Sequence, residues 1–185
     1  RGMCTTYGAA RVAEAIDAAG GSVDRHLLIR LNPAIEFKTR GNAALCLETD
    51  LDPAEAFDRA VDAIDEFAEV ADPQTDPGVV VADATAETVP DAVADFSRRA
   101  LRERLAEDET VALLDRLSYR HGGGRGRIGA LAAVGAGRAV DDWTYEHIAY
   151  RELARCGTPR EVDRASVFAA ADAGYPDVWD TVDRE

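Results

Sequence analysis

His121-Gly122-Gly123-Gly124-Arg125-Gly126-Arg127-Ile128-Gly129-Ala130, continued by Leu131-Ala132-Ala133-Val134-Gly135-Ala136, is the stretch on which the reading of this chain turns. Four of the five residues from Gly122 to Gly126 lack a side chain, so the backbone there can approach another group closely. Two arginines stand among them, and the apolar run from Ile128 to Ala136 predicts a short helix. A glycine turn with bare amides and guanidinium groups, opening into a helix, is suited to holding phosphate. An ordinary connector has the same composition, so both readings stand at this level. The stretch is not a Walker P-loop, because no G-x-x-x-x-G-K followed by Ser or Thr occurs in the chain. Nor is it an esterase oxyanion loop: none of Ser22, Ser97, Ser118 and Ser166 sits in G-x-S-x-G.

Outward from the loop, the chain reads as alternating helices and short strands. Ala9, Val12, Ala13 and Ile16 recur at helical spacing over 5–19, and Gly20-Gly21 stops that helix. His26 to Leu31 and Ala43 to Glu48 read as strands, separated by a polar turn over 38–42. Asp52-Pro53 opens a second helix, with Phe57, Val61, Ile64 and Ala68 on its inward face. Pro73 to Gly78 is a turn and Val79-Val80-Val81 a buried strand. A helix near Pro90 turns Val93, Phe96, Ala100 and Leu101 inward, and another covers 111–117. Trp143 to Tyr150 leans to strand; a helix from Asp163 precedes an acidic tail. The expected class is α+β, a small mixed β-sheet of three to four strands packed against several helices.

At 185 residues with 46% hydrophobic residues, the chain can bury a real core. No run of about 18 apolar residues is present, so no membrane-spanning helix is expected, and the reading is cytoplasmic. The odd, scattered cysteines Cys4, Cys46 and Cys156 fit a reduced protein without a zinc ribbon in this segment. The net charge is −14, and Lys38 is the only lysine among 21 basic residues. Excess acid with arginine in place of lysine points to a halophilic proteome, in which surface charge is heavily screened. Global charge therefore does not by itself exclude a nucleic-acid partner.

Three further clusters could carry chemistry. In Arg1-Gly2-Met3-Cys4-Thr5-Thr6-Tyr7 the hydroxyls of Thr5 and Thr6 stand at the head of a helix, where unpaired amides favour an anion. Such a threonine can cap the helix, hold a metal-bound nucleotide, or accept a phosphoryl group. The segment Lys38-Thr39-Arg40-Gly41-Asn42 keeps an ammonium where arginine is otherwise the rule; its alternative is a solvated hairpin. Asp177, Asp180 and Asp183 recur every third residue, as solvated surface or as a magnesium contact. His26, His121 and His147 show no metal-ligand spacing.

Five segments taken together, "RGMCTTY", "RLNPAIEFKTRGNAA", "DPGVVV", "GRGRIGALAAVGA" and "WTYEHIAYR", resemble the archaeal isoleucine-tRNA 2-agmatinylcytidine synthetase family, TiaS. They run in order across nearly the whole chain, and the resemblance is to the family's N-terminal kinase-like domain, over 1–185. It implies an ATP- and Mg²⁺-dependent ligase. The oxygen on carbon 2 of the wobble cytidine in the anticodon loop of an isoleucine tRNA is phosphorylated, and the amine of agmatine displaces that phosphate. Thr5 falls on the family's autophosphorylated threonine, with Lys38 and Arg40 as the other catalytic residues. Gly2, Met3, Cys4, Thr6, Gly41, Asn42, Gly124, Arg125, Gly126 and Arg127 fall on ATP and phosphate contacts, and Asp180 and Asp183 on metal ligands. Neither a membrane nor DNA is an expected partner.

Two departures qualify that resemblance. The family carries an acidic strand just before "RGMCTT" that this chain lacks, so an N-terminal truncation is expected. Its tail "TFDNVD" stands here as Val178-Trp179-Asp180-Thr181-Val182-Asp183, which keeps two acids and loses the asparagine. The downstream ferredoxin-like, oligonucleotide-binding-fold and zinc-ribbon modules are also expected to be absent. The competing readings are a catalytically incomplete nucleotide-binding module and a phosphotransferase acting on another acceptor.

Overall fold

The structure, a computed structural model, describes residues 5–36, 38, 42–83, 89–139, 155, 158–159, 161 and 163–174. Two compact units divide the chain, Arg1–Glu146 and His147–Glu185. In the first unit the order is α1 (Thr5–Ala18), β1 (Val23–Arg30), β2 (Ala43–Thr49), α2 (Pro53–Phe67), β3 (Gly78–Val81), α3 (Asp91–Ala100), α4 (Glu107–Leu117), β4 (Arg120–Gly123) and α5 (Gly126–Ala139). In the second, α6 spans Arg164–Gly174, and the Asp163 carboxylate accepts the Ala165 and Ser166 amides at its head. The segment read as a strand over 143–150 lies outside the described residues. No described helix is long and apolar enough to cross a membrane.

The α+β class holds, and among the described residues the four strands form two antiparallel ribbons, β1 with β2 and β3 with β4. β1 pairs with β2 from Arg30↔Ala43 to Val23↔Thr49, with an irregularity between Val23 and Arg25. The second ribbon holds a surprise: β4 is made from the first half of the glycine stretch, pairing Gly78↔Gly123, Val79↔Gly122, Val80↔His121 and Val81↔Arg120. Glycine is a poor strand former by composition. Here packing on the sheet face decides, because a Cβ on Gly122 would lie 3.1 Å from the Phe57 ring of α2. The bare strand lets that ring approach.

The glycine- and alanine-rich helix α5 is the centre of the unit. Leu131 and Ala132 are fully buried, Ala133 and Ala136 nearly so, and the helix touches α3, α4 and all four strands. Its small residues set how close these neighbours come. A Cβ on Gly135 would stand 2.1 Å from Ser97 Oγ and 2.7 Å from the Val93 carbonyl of α3. Ser97 is itself fully buried, its Oγ 3.0 Å from Val93 O and 2.8 Å from Ala132 O, so its hydroxyl spans the tight crossing.

A smaller apolar cluster joins α1 to α2. Val12 and Ile16 meet Ala60 and Ala63, with Val23, Leu47, Leu51 and Val79 packed around them. The fully buried stripe of α2 is Ala56, Ala60 and Ala63, and the expected Phe57, Val61, Ile64 and Ala68 flank it half-buried, Ile64 packing against this same cluster. The larger side chains are half-buried, Phe57 and Val61 lying over the Gly122 backbone. Asp52 caps α2 as its position before Pro53 implies, with Oδ1 accepting the Ala54 amide at 2.9 Å and the Glu55 amide at 3.3 Å.

Candidate functional site

The turn that opens α5 is locked to a partner the sequence reading took only for a turn, Asp76-Pro77-Gly78. Pro77 O accepts the Gly124 amide at 2.8 Å, and Asp76 O accepts the Gly126 amide at 3.0 Å. The Asp76 carboxylate takes Arg125 twice through Oδ2, from its backbone amide at 3.0 Å and from Nε at 2.9 Å. The next two amides, of Arg127 and Ile128, donate to Gly124 O and Arg125 O. A Cβ on Gly124 would sit 1.6 Å from Asp76 Oδ1, and one on Gly126 2.3 Å from the Gly78 amide nitrogen. Gly123, at φ +83°, turns the chain from β4 into this lock.

The reason for the glycines is therefore different from the expected one. The amides of Gly124, Arg125, Gly126 and Arg127, the expected phosphate contacts, are donated within the protein, as is that of Ile128. Their missing side chains admit Asp76, Pro77 and Gly78. Asp76 was legible only indirectly: α5 has no acid in its first turn, and Arg125 is no capping residue. A helix head of that kind takes its acceptors from elsewhere, and an acid is one that the dipole favours. Burial raises the Asp76 pKa, but the two Arg125 hydrogen bonds and the charges of Arg125 and Arg127 outweigh it and hold the carboxyl below its ordinary range.

Arg127 points to α4. Its Nη2 donates to Glu107 at 2.5 Å, its Nε to Gly124 O at 3.0 Å, and its Nη1 lies 3.4 Å from His121 Nδ1. His121 Nε2 faces Asp115 at 2.9 Å, so the partners assign the proton to Nε2 and leave Nδ1 to accept. Arg127 also lines an open cleft of about 660 Å³ with Glu107, Asp108, Val111, Ala112 and Asp115. The predicted phosphate contact thus serves as a tie between loop and α4.

The connection between β1 and β2 holds the second cluster. Asn42, at φ +46°, donates from Nδ2 to Asn32 O at 2.6 Å, and its carbonyl accepts the Leu31 amide at 2.8 Å. Asn42 therefore clasps the two ends of the connection together. Lys38 is exposed, and its Nζ donates to Ile35 O at 2.6 Å. The direction of α5 brings Leu31, Asn42 and the glycine turn to one end of the β1–β2 ribbon. Gly129 faces Ala44 and Leu31, whereas Gly137 faces Leu27 and Cys46. Eight helical residues rise about 12 Å, and four strand residues span about 13 Å, so helix and ribbon run side by side. The N-terminal turn of α5 accordingly lies toward the end of the ribbon that carries Leu31 and Ala44.

Thr5 and Thr6 open α1, whose first turn carries no acid. Just behind them Tyr7 stacks edge-on against Phe67 at 5.9 Å, and a Cβ on Gly8 would lie 3.1 Å from the same ring. Helix α2 is the element both clusters touch, Gly122 at Phe57 and the head of α1 at Phe67. Ten helical residues separate those rings, roughly 15 Å along the axis. Gly2, Met3, Cys4, Arg40, Gly41, Asp180 and Asp183 lie outside the described residues. Among the described residues no group of three or more His, Cys, Asp or Glu is placed to hold a metal.

Comparison with known proteins accounts for the whole chain. A family model described as the TiaS TCKD domain matches residues 1–123, and one described as the TiaS FLD domain matches residues 124–185. The isoleucine-tRNA 2-agmatinylcytidine synthetase TiaS of Haloquadratum walsbyi is 58% identical, with 100% of this chain and 41% of that protein covered. The protein of the same description from Methanosarcina mazei is 41% identical over 98% of this chain and 44% of its own length. The crystal structure of TiaS in complex with its isoleucine tRNA and ATP superposes with a TM-score of 0.79 at 40% identity, covering 99% of this chain and 44% of the other. That of TiaS with the same tRNA, AMPCPP and agmatine gives 0.75 at 37% identity, covering 100% and 44%. The chain thus spans less than half the length of the relatives it matches.

Proposed function

The chain belongs to the TiaS family, and from that membership we propose that it carries the ATP-handling part of a ligase joining agmatine to carbon 2 of the wobble cytidine of an isoleucine tRNA. The observation that carries this reading is the coverage: the two family models meet at 123/124 and leave no residue of the chain unmatched. Solved relatives of the same fold are complexes with an isoleucine tRNA, ATP, an ATP analogue and agmatine, which supports these substrate classes.

The chemistry asks for an activated oxygen. A cytosine carbonyl oxygen leaves poorly, whereas phosphorylation turns it into phosphate; the amine nitrogen then bonds carbon 2 as the carbon–oxygen bond breaks. Phosphoryl transfer of this kind depends on positioning and charge neutralisation. Thr5 is the proposed phosphoryl acceptor at the acid-free head of α1, flanked by Gly2, Met3, Cys4 and Thr6. Lys38, Arg40 and Arg125 are the proposed phosphate-neutralising cations, and Gly41, next to Arg40 in sequence, is a proposed phosphate contact. Asn42 shapes their connection, Gly124 and Gly126 close the turn that presents Arg125, and Arg127 anchors that turn to α4. Mg²⁺ is proposed to arrive with the nucleotide, with Asp180 and Asp183 as its candidate protein ligands.

The test is a product assay. The protein is incubated with ATP, Mg²⁺, agmatine and an isoleucine tRNA transcript, and the anticodon fragment is weighed by mass spectrometry. The expected result is an ATP-dependent mass gain on the wobble cytidine that vanishes without agmatine. ATP bound but never consumed would identify an incomplete nucleotide-binding module instead. ATP consumed with the tRNA unchanged would identify a phosphotransferase with another acceptor.

A further inference from the structure

Asp76 is the charged group of this region that the proposed chemistry leaves without a task. It lies 49 residues from Arg125 in sequence, yet its Oδ2 receives both the backbone amide and the side-chain Nε of that residue. The two contacts do different things. The first fixes where Arg125 sits, and the second fixes how its guanidinium is turned. The turn itself has other supports: Gly124 N–H to Pro77 O, Gly126 N–H to Asp76 O, and the β3–β4 ladder from Gly78↔Gly123 to Val81↔Arg120. None of these needs the Asp76 carboxylate. The seat and the orientation of Arg125 are what it holds.

We propose that Asp76 is a positioning residue for the nucleotide reaction, acting through Arg125. Its carboxylate holds the guanidinium toward a phosphate oxygen and does not touch the nucleotide, since two anions in contact would repel. The inference rests on the reading that Arg125 meets ATP. A planar guanidinium gives its full charge-assisted hydrogen bond only when its N–H groups are aimed, so loss of the aiming group costs affinity without removing the cation.

The experiment is a double-mutant cycle read by equilibrium binding of an ATP analogue, with thermal melting of every variant alongside. Arg125→Ala is expected to weaken binding about tenfold, the size of one charge-assisted contact. Asp76→Ala is expected to weaken it nearly as much, and to add nothing in the Arg125→Ala background. Asp76→Asn, which keeps an oxygen acceptor, is expected to restore most of the affinity. Additive losses, or a lower melting temperature with unchanged affinity, would show Asp76 to be a fold clamp only and overturn the inference. Tighter binding by Asp76→Ala would show the carboxylate competing for the phosphate seat, which also overturns it. Unchanged affinity in Arg125→Ala alone would remove Arg125 from the nucleotide, defeating that part of the functional reading and the inference with it.

Discussion

Gly124 shows what an absent side chain does in this protein. The space where its Cβ would stand belongs to Asp76 Oδ1, at 1.6 Å, so Gly124→Ala must push the carboxylate off Arg125. The expected cost is about 1–3 kcal/mol of stability, the usual range for overpacking a closed site. Urea unfolding checks it, and a variant as stable as the parent would contradict the interlock. Acid provides a second check on the same group. Because the folded-state pKa of Asp76 is depressed, its ionised form contributes stability above its ordinary value of 3.8, and that contribution is lost as pH falls through the depressed pKa. The stability gap between the parent and Asp76→Asn is expected to be constant near neutrality and to close in acid. A gap that widens as pH falls would show the opposite shift. The sequence assigns the amides of this turn to a ligand, whereas they are donated within the protein. Asp76 escapes that reading because the pairing crosses 49 residues and no local pattern announces it.

At the scale of elements, the helices were the legible part. Asp52-Pro53 fixes the start of α2, and the spacing of Val12, Ala13 and Ile16 fixes the inward face of α1. Strand β4 was not legible, because a run of glycines carries no alternation and only its partner Val79-Val80-Val81 makes it a strand. The inward face of α2 is broader than its large apolar residues predict, for a related reason. Its alanines suit the close approach of α1, while Phe57 spreads over a backbone with no side chains of its own. The crossing of α3 and α5 is the contact on which the core depends most, since both Ser97 and Gly135 are committed to it. Gly135→Ala is expected to destabilise the protein by about 1–3 kcal/mol, although alanine favours helix over glycine by about 1 kcal/mol. A rise in melting temperature would mean that the two helices are less close than described.

At the scale of the molecule, the charge of −14 is the property most easily tested. Exposed carboxylates repel through water, and at molar salt the screening length falls to about 3 Å. The melting temperature is expected to rise from dilute buffer to molar KCl; a flat or falling trend would contradict the halophilic reading of the composition. The extent of the units was not marked by proline either: the family models meet at 123/124 and the two compact units at 146/147, and neither place carries one.

The proposed chemistry requires that the head of α1 receive a phosphoryl group. Incubation with γ-labelled ATP and Mg²⁺, followed by peptide mapping, measures this directly. Label on the peptide that carries Thr5, absent from Thr5→Val, is the predicted result. ATP consumption with agmatine joined to tRNA but no label on Thr5, or label that persists in Thr5→Val, would contradict it.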